Sequence, residues 1–180
     1  MGSKLSKKNN FNVLSVGLDE SGKTEAIYYL KYLQTIKTIP TIGVNIETID
    51  YKGYTFSIWD NGGQDKIRVL WKHYVNKVDG IMFFIDSSNR DRIEDASDEL
   101  KKLLAEEEFK KMFILIIANK QDLEGAFPPE EIIRIFALEQ LKGINWHVQG
   151  ASIKTGQGLR EGFDWLTDSL ISTIQKKNNK

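Results

Sequence analysis

The sequence predicts an α/β fold, a mainly parallel sheet with helices on both faces, in one domain. Three observations carry this. Strand-like segments alternate with segments of helical apolar spacing along the chain. Residues 80–86 and 112–119 are continuous apolar runs bounded by polar residues, the pattern of strands buried on both faces. Finally, Gly17-Leu18-Asp19-Glu20-Ser21-Gly22-Lys23-Thr24 fits G-x-x-x-x-G-K-[ST] without a mismatch, between a strand-like and a helix-like run. Ligands of such sheets bind at the carboxyl ends of the strands.

The 180 residues, 41% of them hydrophobic, suffice for one domain with a substantial core. Lys plus Arg equals Asp plus Glu at 25 each, which gives no reason to expect a nucleic-acid partner. The charge is unevenly distributed, however. Lys4, Lys7 and Lys8 precede the first acidic residue, Asp19, and Lys176, Lys177 and Lys180 close the chain. The lack of cysteine excludes disulfides, thiolate chemistry, prenylation and palmitoylation. No apolar run approaches the roughly 20 residues that span a bilayer, and no signal-peptide core is present, so a cytoplasmic protein, soluble or peripherally attached, is expected.

Taken in order, Met1-Gly2-Ser3-Lys4-Leu5-Ser6 fits M-G-x-x-x-[ST], the N-myristoylation pattern, with Gly2 as acceptor; a plain basic arm is the other reading. Residues 11–16 read as the strand that delivers the phosphate loop. Residues 25–33, with Ala26, Ile27, Leu30 and Leu33 at helical spacing, read as the helix that follows it. Residues 34–43 contain Pro40 and Gly43 and little periodicity, which predicts a surface loop. Residues 44–51 and 54–60 are β-rich and flank Lys52-Gly53, an antiparallel hairpin signal. Between the two buried runs, Ile93, Ala96, Leu100, Leu103 and Leu104 form a helical stripe with Asn89 and Asp91 as candidate caps. Pro128-Pro129-Glu130-Glu131 suits a helix start. Residues 146–152 can form a last strand, and a closing helix from about residue 159 carries Phe163, Leu166, Leu170, Ile171 and Ile174 on one side. Trp71, Trp146 and Trp165 read as packing residues, and His73 and His147 lack metal-ligand partners at useful spacing.

The loop 17–24 turns backbone N–H groups towards polyphosphate beside a helix N-terminus, with Lys23 as a point charge. Asn119-Lys120-Gln121-Asp122 ends the second buried run. A carboxylate there can accept from N1–H and the exocyclic amine of guanine, a donor pair that adenine lacks, so the nucleotide is predicted to be GTP or GDP. Thr41, Asp60 and Gly63-Gln64 complete a GTPase constellation. Thr24 and Thr41 would supply hydroxyls to Mg²⁺, with Asp60 holding the ion through water. Gly63 would offer its N–H to the γ-phosphate and Gln64 would orient the attacking water. Residues 34–43 contain no arginine, so slow turnover is expected without one from a partner. The organisation expected is an arm at 1–10, a GTP-binding domain at 11–175 and a basic tail at 176–180.

Six stretches carry a resemblance: Gly17-Leu18-Asp19 with Gly22-Lys23-Thr24; Ile39-Pro40-Thr41-Ile42-Gly43; residues 59–68 around Asp60-Asn61-Gly62-Gly63-Gln64; Leu70-Trp71 with His73-Tyr74; residues 118–123; and Gly162-Phe163-Asp164-Trp165-Leu166. Together they resemble the ADP-ribosylation factor (Arf) family of small GTPases. The resemblance implies the three-layer small-GTPase, P-loop NTPase fold, with a six-stranded sheet and one antiparallel edge strand. It implies GTP/GDP and Mg²⁺, an exchange factor, a GTPase-activating protein supplying an arginine, effector proteins and a membrane surface. It further implies a monomer in vesicular trafficking at the Golgi or another endomembrane, with a hairpin between the switches that slides on nucleotide exchange. By the same resemblance Glu25 would join the nucleotide site, Ser152 and Ile153 would occupy the guanine-loop position, and Val44, Trp59 and Tyr74 would form the effector surface.

Several positions depart from the family pattern. The arm carries only Leu5 as a large apolar residue beyond Met1, which leaves myristate as the main anchor. Val44 stands where phenylalanine is common. Glu25, with Asp19 and Glu20, brings acidic charge to the phosphate site, and the bulk of Ile153 is expected to alter base affinity. The alternative to a hydrolytic switch is a GTP-gated adaptor or lipid-cargo release factor with negligible hydrolysis; a P-loop kinase would need an acceptor lid that the short connections do not offer.

Overall fold

The computed structural model describes residues 10–64, 68 and 70–178. The acylation pattern at Gly2 and the lysines of the arm lie outside the described residues. Six strands form one sheet in the order β2-β3-β1-β4-β5-β6, where β1 is Asn10–Gly17, β2 Val44–Tyr51, β3 Tyr54–Asn61, β4 Gly80–Asp86, β5 Phe113–Asn119 and β6 Asn145–Gly150. All pairings are parallel except that of the edge strand β2 with β3. The α-helices with described bounds are α1 (Lys23–Tyr32), α2 (Ile93–Leu103), α3 (Pro129–Ile135) and α4 (Leu159–Asn178).

The two continuous apolar runs are the central strands, and their period-two alternation feeds two separate cores. Ile81, Phe83 and Ile85 of β4, with Ile114, Ile116 and Ala118 of β5, face α2 and α3, where Ala96, Leu100 and Ile132 meet them. Met82 and Phe84, with Leu115 and Ile117, face α1 and α4, where Ile27, Leu30, Phe163 and Leu166 close the second core. Burial on both sides fixes the register, because a one-residue slip would exchange the two faces.

Local chemistry sets the element ends. The hairpin turns through Lys52 (φ 49°) and Gly53 (φ 79°), both left-handed as a tight two-residue turn requires. Pro129 opens α3 at a position where its missing N–H costs nothing. Neither Asn89 nor Asp91 caps α2 with its side chain; residues Arg90–Arg92 form a 3₁₀ turn and Arg92 occupies the cap position without a side-chain bond to the helix. The last strand ends at Gly150, earlier than the expected 152, because Ser152 pairs with Gln157 in a separate bridge. The closing helix runs through Asn178, beyond residue 175. Among the described residues no helix is long and apolar enough to cross a membrane.

Candidate functional site

The site lies where β1, β3, β4 and β5 end. The phosphate loop joins β1 to α1, and two of its glycines are required by close approach. A Cβ on Gly17 would lie 2.3 Å from the Phe84 carbonyl oxygen, and one on Gly22 would lie 2.4 Å from Asn119 Nδ2. Ser21 Oγ closes the loop onto the Leu18 carbonyl at 2.8 Å. The buried Lys23 ammonium donates to the carbonyls of Leu18 at 2.7 Å and Gly17 at 3.1 Å. Burial lowers its pKa to about 8, against the opposing pull of Asp60 and Asp19.

Next to Lys23, three oxygens from three segments converge. Thr24 Oγ1 lies 2.9 Å from Thr41 Oγ1 and donates to Asp60 Oδ2 at 2.6 Å, and Thr41 Oγ1 donates to the same oxygen at 3.2 Å. Adjacent ligands of octahedral Mg²⁺, at about 2.0–2.1 Å from the ion, stand about 2.9 Å apart, so this spacing and the all-oxygen donor set fit that ion. Asp60 adds a second observation. It is 1% exposed, its Oδ1 has no hydrogen-bond partner among the described residues, and burial raises its pKa above the ordinary carboxylate value. A buried carboxylate with an orphaned oxygen is the environment that a divalent cation relieves.

The loop 34–43 carries Thr41 to this corner without regular structure, and Gly62 N–H anchors its end on the Gly43 carbonyl at 3.0 Å. Gly63 is pressed onto the phosphate loop: a Cβ there would meet Asp19 N at 2.2 Å and Leu18 C at 2.3 Å. Its carbonyl accepts from Asp19 N–H at 3.2 Å and from Arg68 Nη1 at 2.9 Å. Gln64 is exposed at the mouth of a cleft of about 530 Å³, which Glu20, Lys23, Thr24, Glu25 and Thr41 also line. That volume suits a ligand of nucleotide size.

The acidic charge expected around the phosphates is partly compensated. Arg92 Nη2 lies 2.7 Å from Asp19 Oδ1 and, with burial opposing, holds that carboxyl below its ordinary value. Glu20 and Glu25 remain on the cleft wall. Sequence reasoning missed Arg92, which is 73 residues from its partner. The available signal was its position just after the carboxyl end of β4, where ligand-facing loops gather.

Beyond the phosphate loop, at the end of β5, Asn119 joins two loops. Its Nδ2 donates to the Ser21 carbonyl at 2.9 Å and its Oδ1 accepts from Ile153 N–H at 3.3 Å. Asp122 Oδ1 accepts from Ser152 Oγ at 2.7 Å, with Lys154 Nζ 3.9 Å from its other oxygen. Lys120, in the left-handed region at φ 66°, pairs with Asp86 at 2.6 Å; that bond and Ser88 outweigh burial and keep the Asp86 pKa low. Ile153 has a side chain that is 2% exposed and packs in the core beneath α1 and α4, with its Cδ1 3.1 Å from where a Cβ on Gly22 would stand.

On the neighbouring edge, Trp59 and Tyr74 rings stand 5.4 Å apart at 60°. Val44 shares its strand face with Ile46, which is opposite Trp59 and 52% exposed. Ile39 and Ile42 on the preceding loop are 85% and 89% exposed. Ile46 thus adds exposed apolar area beside Trp59.

Comparison with known proteins places this geometry in context. Residues 1–170 match the sequence model of the ADP-ribosylation factor family. The fold is similar to that of the Arl6 BBS3 small GTPase from Trypanosoma brucei with the bound nucleotide analogue GppNp, at a TM-score of 0.84 and 30% sequence identity, over 91% of this chain and 99% of that one.

Proposed function

The chain belongs to the ADP-ribosylation factor family of small GTPases, and from this premise we propose that it is a GTP/GDP switch regulating membrane-associated events such as vesicular trafficking. As a family member it binds GTP and GDP with Mg²⁺ and hydrolyses GTP. The observation that carries the reading is the convergence of Thr24, Thr41 and Asp60 beside the buried Lys23, because Thr41 arrives on a loop able to respond to the nucleotide.

In this reading Lys23 neutralises the β- and γ-phosphates, and Asp122, oriented by Ser152, accepts from guanine. Thr24 and Thr41 present hydroxyl oxygens to Mg²⁺ while donating their protons to Asp60. Held by these oxygens, Mg²⁺ would supply positive charge to offset that of the phosphates. Gly63 presents its N–H to the γ-phosphate, and Gln64 orients the attacking water. With Arg92 committed to Asp19 and none in residues 34–43, the transition-state arginine comes from an activating protein, for an acceleration of about 10³ to 10⁵. An exchange factor and effectors, the latter on the surface of Val44, Trp59, Tyr74 and Ile46, complete the cycle of a monomer. It is held at an endomembrane, such as the Golgi, by a myristoylated Gly2 and the lysines behind it.

Single-turnover phosphate release from the GTP-loaded protein, with and without cell extract as a source of activating protein, tests the switch. Gln64→Leu should lose stimulated hydrolysis and keep GTP binding. A wild-type protein that binds GTP but releases no phosphate in either condition would favour a GTP-gated adaptor instead.

A further inference from the structure

Gly63 links the phosphate loop to Gln64, and its carbonyl is gripped twice. One grip is Asp19 N–H; the other is the guanidinium of Arg68, which donates through Nη1 at 2.9 Å. The same guanidinium faces α2, where Arg68 Nε stands 3.3 Å from Glu99 Oε2. Both side chains are largely buried, at 14% and 12% exposure, unlike the exposed Lys101–Asp98 pair on the same helix; Glu99 Oε1 also accepts from the exposed Lys102 at 2.7 Å. An ion pair removed from solvent holds one geometry, since neither partner can exchange it cheaply for water.

The carbonyl of Gly63 and the N–H of Gln64 belong to one rigid peptide plane. Fixing the direction of that carbonyl therefore fixes where the Gln64 Cα departs, although Gln64 itself is exposed. Arg68 N–H also donates to the Gln64 carbonyl at 3.1 Å, so the peptide planes on both sides of Gln64 are held by the same residue.

We propose that Glu99, acting through Arg68, is a positioning residue for hydrolysis: it orients the guanidinium that clamps the Gly63–Gln64 peptide and so aims the Gln64 side chain. Glu99 touches no substrate. The inference rests on the role given above to Gln64. Displacement of a reacting group by about 1 Å can cost up to about 100-fold in rate, which sets the scale of the effect.

The test uses the full-length protein in single-turnover phosphate release, alone and with cell extract, beside affinities for GDP and GppNp and the Tm. Glu99→Ala should lower the rate by about 10- to 100-fold while both affinities stay within about twofold. Glu99→Gln, which keeps an acceptor oxygen for Arg68, should recover most of the rate. In a Gln64→Leu background, Glu99→Ala should change nothing further, because the group being aimed is gone. Arg68→Gln should reproduce the loss, and it serves as the test if Glu99→Ala does not fold. A rate unchanged in Glu99→Ala or Arg68→Gln, while Gln64→Leu is inactive, overturns the positioning role and leaves the Gln64 role standing. A loss that multiplies with Gln64→Leu, or that tracks falling GDP affinity, likewise overturns it. If Gln64→Leu hydrolyses like the wild type, the Gln64 role and this inference fall together.

Discussion

The guanidinium of Arg92 stands 2.7 Å from the carboxylate of Asp19, so a residue at the head of α2 neutralises the middle of the phosphate loop. The pair is part-exposed, and its loss should change fold stability by no more than about 1 kcal/mol. Nucleotide affinity should respond more selectively. In Arg92→Met an uncompensated Asp19 faces the triphosphate cleft, and GTP binding should weaken by up to about fivefold, more at low salt than at high. Dissociation of a fluorescent GTP analogue at two ionic strengths measures this; equal affinity for wild type and variant at low salt would remove the neutralising role.

Gly63→Ala addresses the close packing of residue 63 on the phosphate loop. The added Cβ would collide with the Asp19 amide nitrogen and the Leu18 carbonyl carbon, both backbone atoms that cannot swing aside. Overpacking of this sort costs about 1–3 kcal/mol, which corresponds to roughly 5- to 150-fold in affinity if it falls on the GTP state alone. GDP affinity should be nearly preserved. Titration of the variant with GDP and GppNp checks it, and equal losses for both nucleotides would mean that the collision disturbs the phosphate loop in general.

Much of this architecture was legible in the residues. The apolar runs at 80–86 and 112–119 announce strands buried on two faces, and Lys52-Gly53 announces the hairpin, because both signals are local. The phosphate and base loops were equally plain, since their chemistry is written in contiguous residues. What escaped was tertiary. Nothing near Arg92 indicates that Asp19 will claim it, and nothing near Glu99 distinguishes it from Asp98, which lies on the solvent side of the same turn. Asn89 and Asp91 are good caps by residue type, yet a 3₁₀ turn replaces capping there and Arg92 points to the phosphate loop. The burial of the Ile153 side chain in the core was likewise not written in its neighbours, which are polar or small.

Ile153→Ala separates packing from base preference. Truncation of a fully packed isoleucine should destabilise the fold by about 2–5 kcal/mol, depending on how far the site collapses. The preference for guanosine over inosine nucleotides should stay within about twofold, because Asp122 and Ser152 are untouched. Urea unfolding and competition binding give the two readouts; a large change in base preference with little loss of stability would contradict the packing role.

The far end of the hairpin predicts a pH dependence. Asp164 on α4 accepts from Tyr51 Oη at 2.8 Å and from Lys52 Nζ at 2.8 Å. Burial pushes its pKa up, but Lys52 and Tyr51 together bring it below the ordinary value of 3.8. A depressed carboxylate stabilises the fold above its unfolded pKa, and that contribution fades as pH falls through the folded value, here below 3.8. Asp164→Asn should therefore cost up to about 1 kcal/mol near neutrality, a small figure because both partners of the Lys52 pair are substantially exposed. The gap between wild type and variant should close below pH 3.8, followed by urea midpoints. A gap that widens on acidification would reverse the assignment.

The β2–β3 hairpin reaches from Val44 and Asn61 beside the cation corner to Lys52 at α4, eight residues or about 26 Å of paired strand. Phe56 and Ile58 on β3 are fully buried while Thr55 and Ser57, which alternate with them, are not. Sliding this hairpin one residue along β1 would turn both apolar side chains out of the core, a loss of about 1.5–3 kcal/mol each, and drive hydroxyls in. A two-residue step, about 7 Å, restores the same faces. Any travel along the sheet would thus be confined to even steps, with no stable halfway position, and a graded change at one end would reach the other only as all or none.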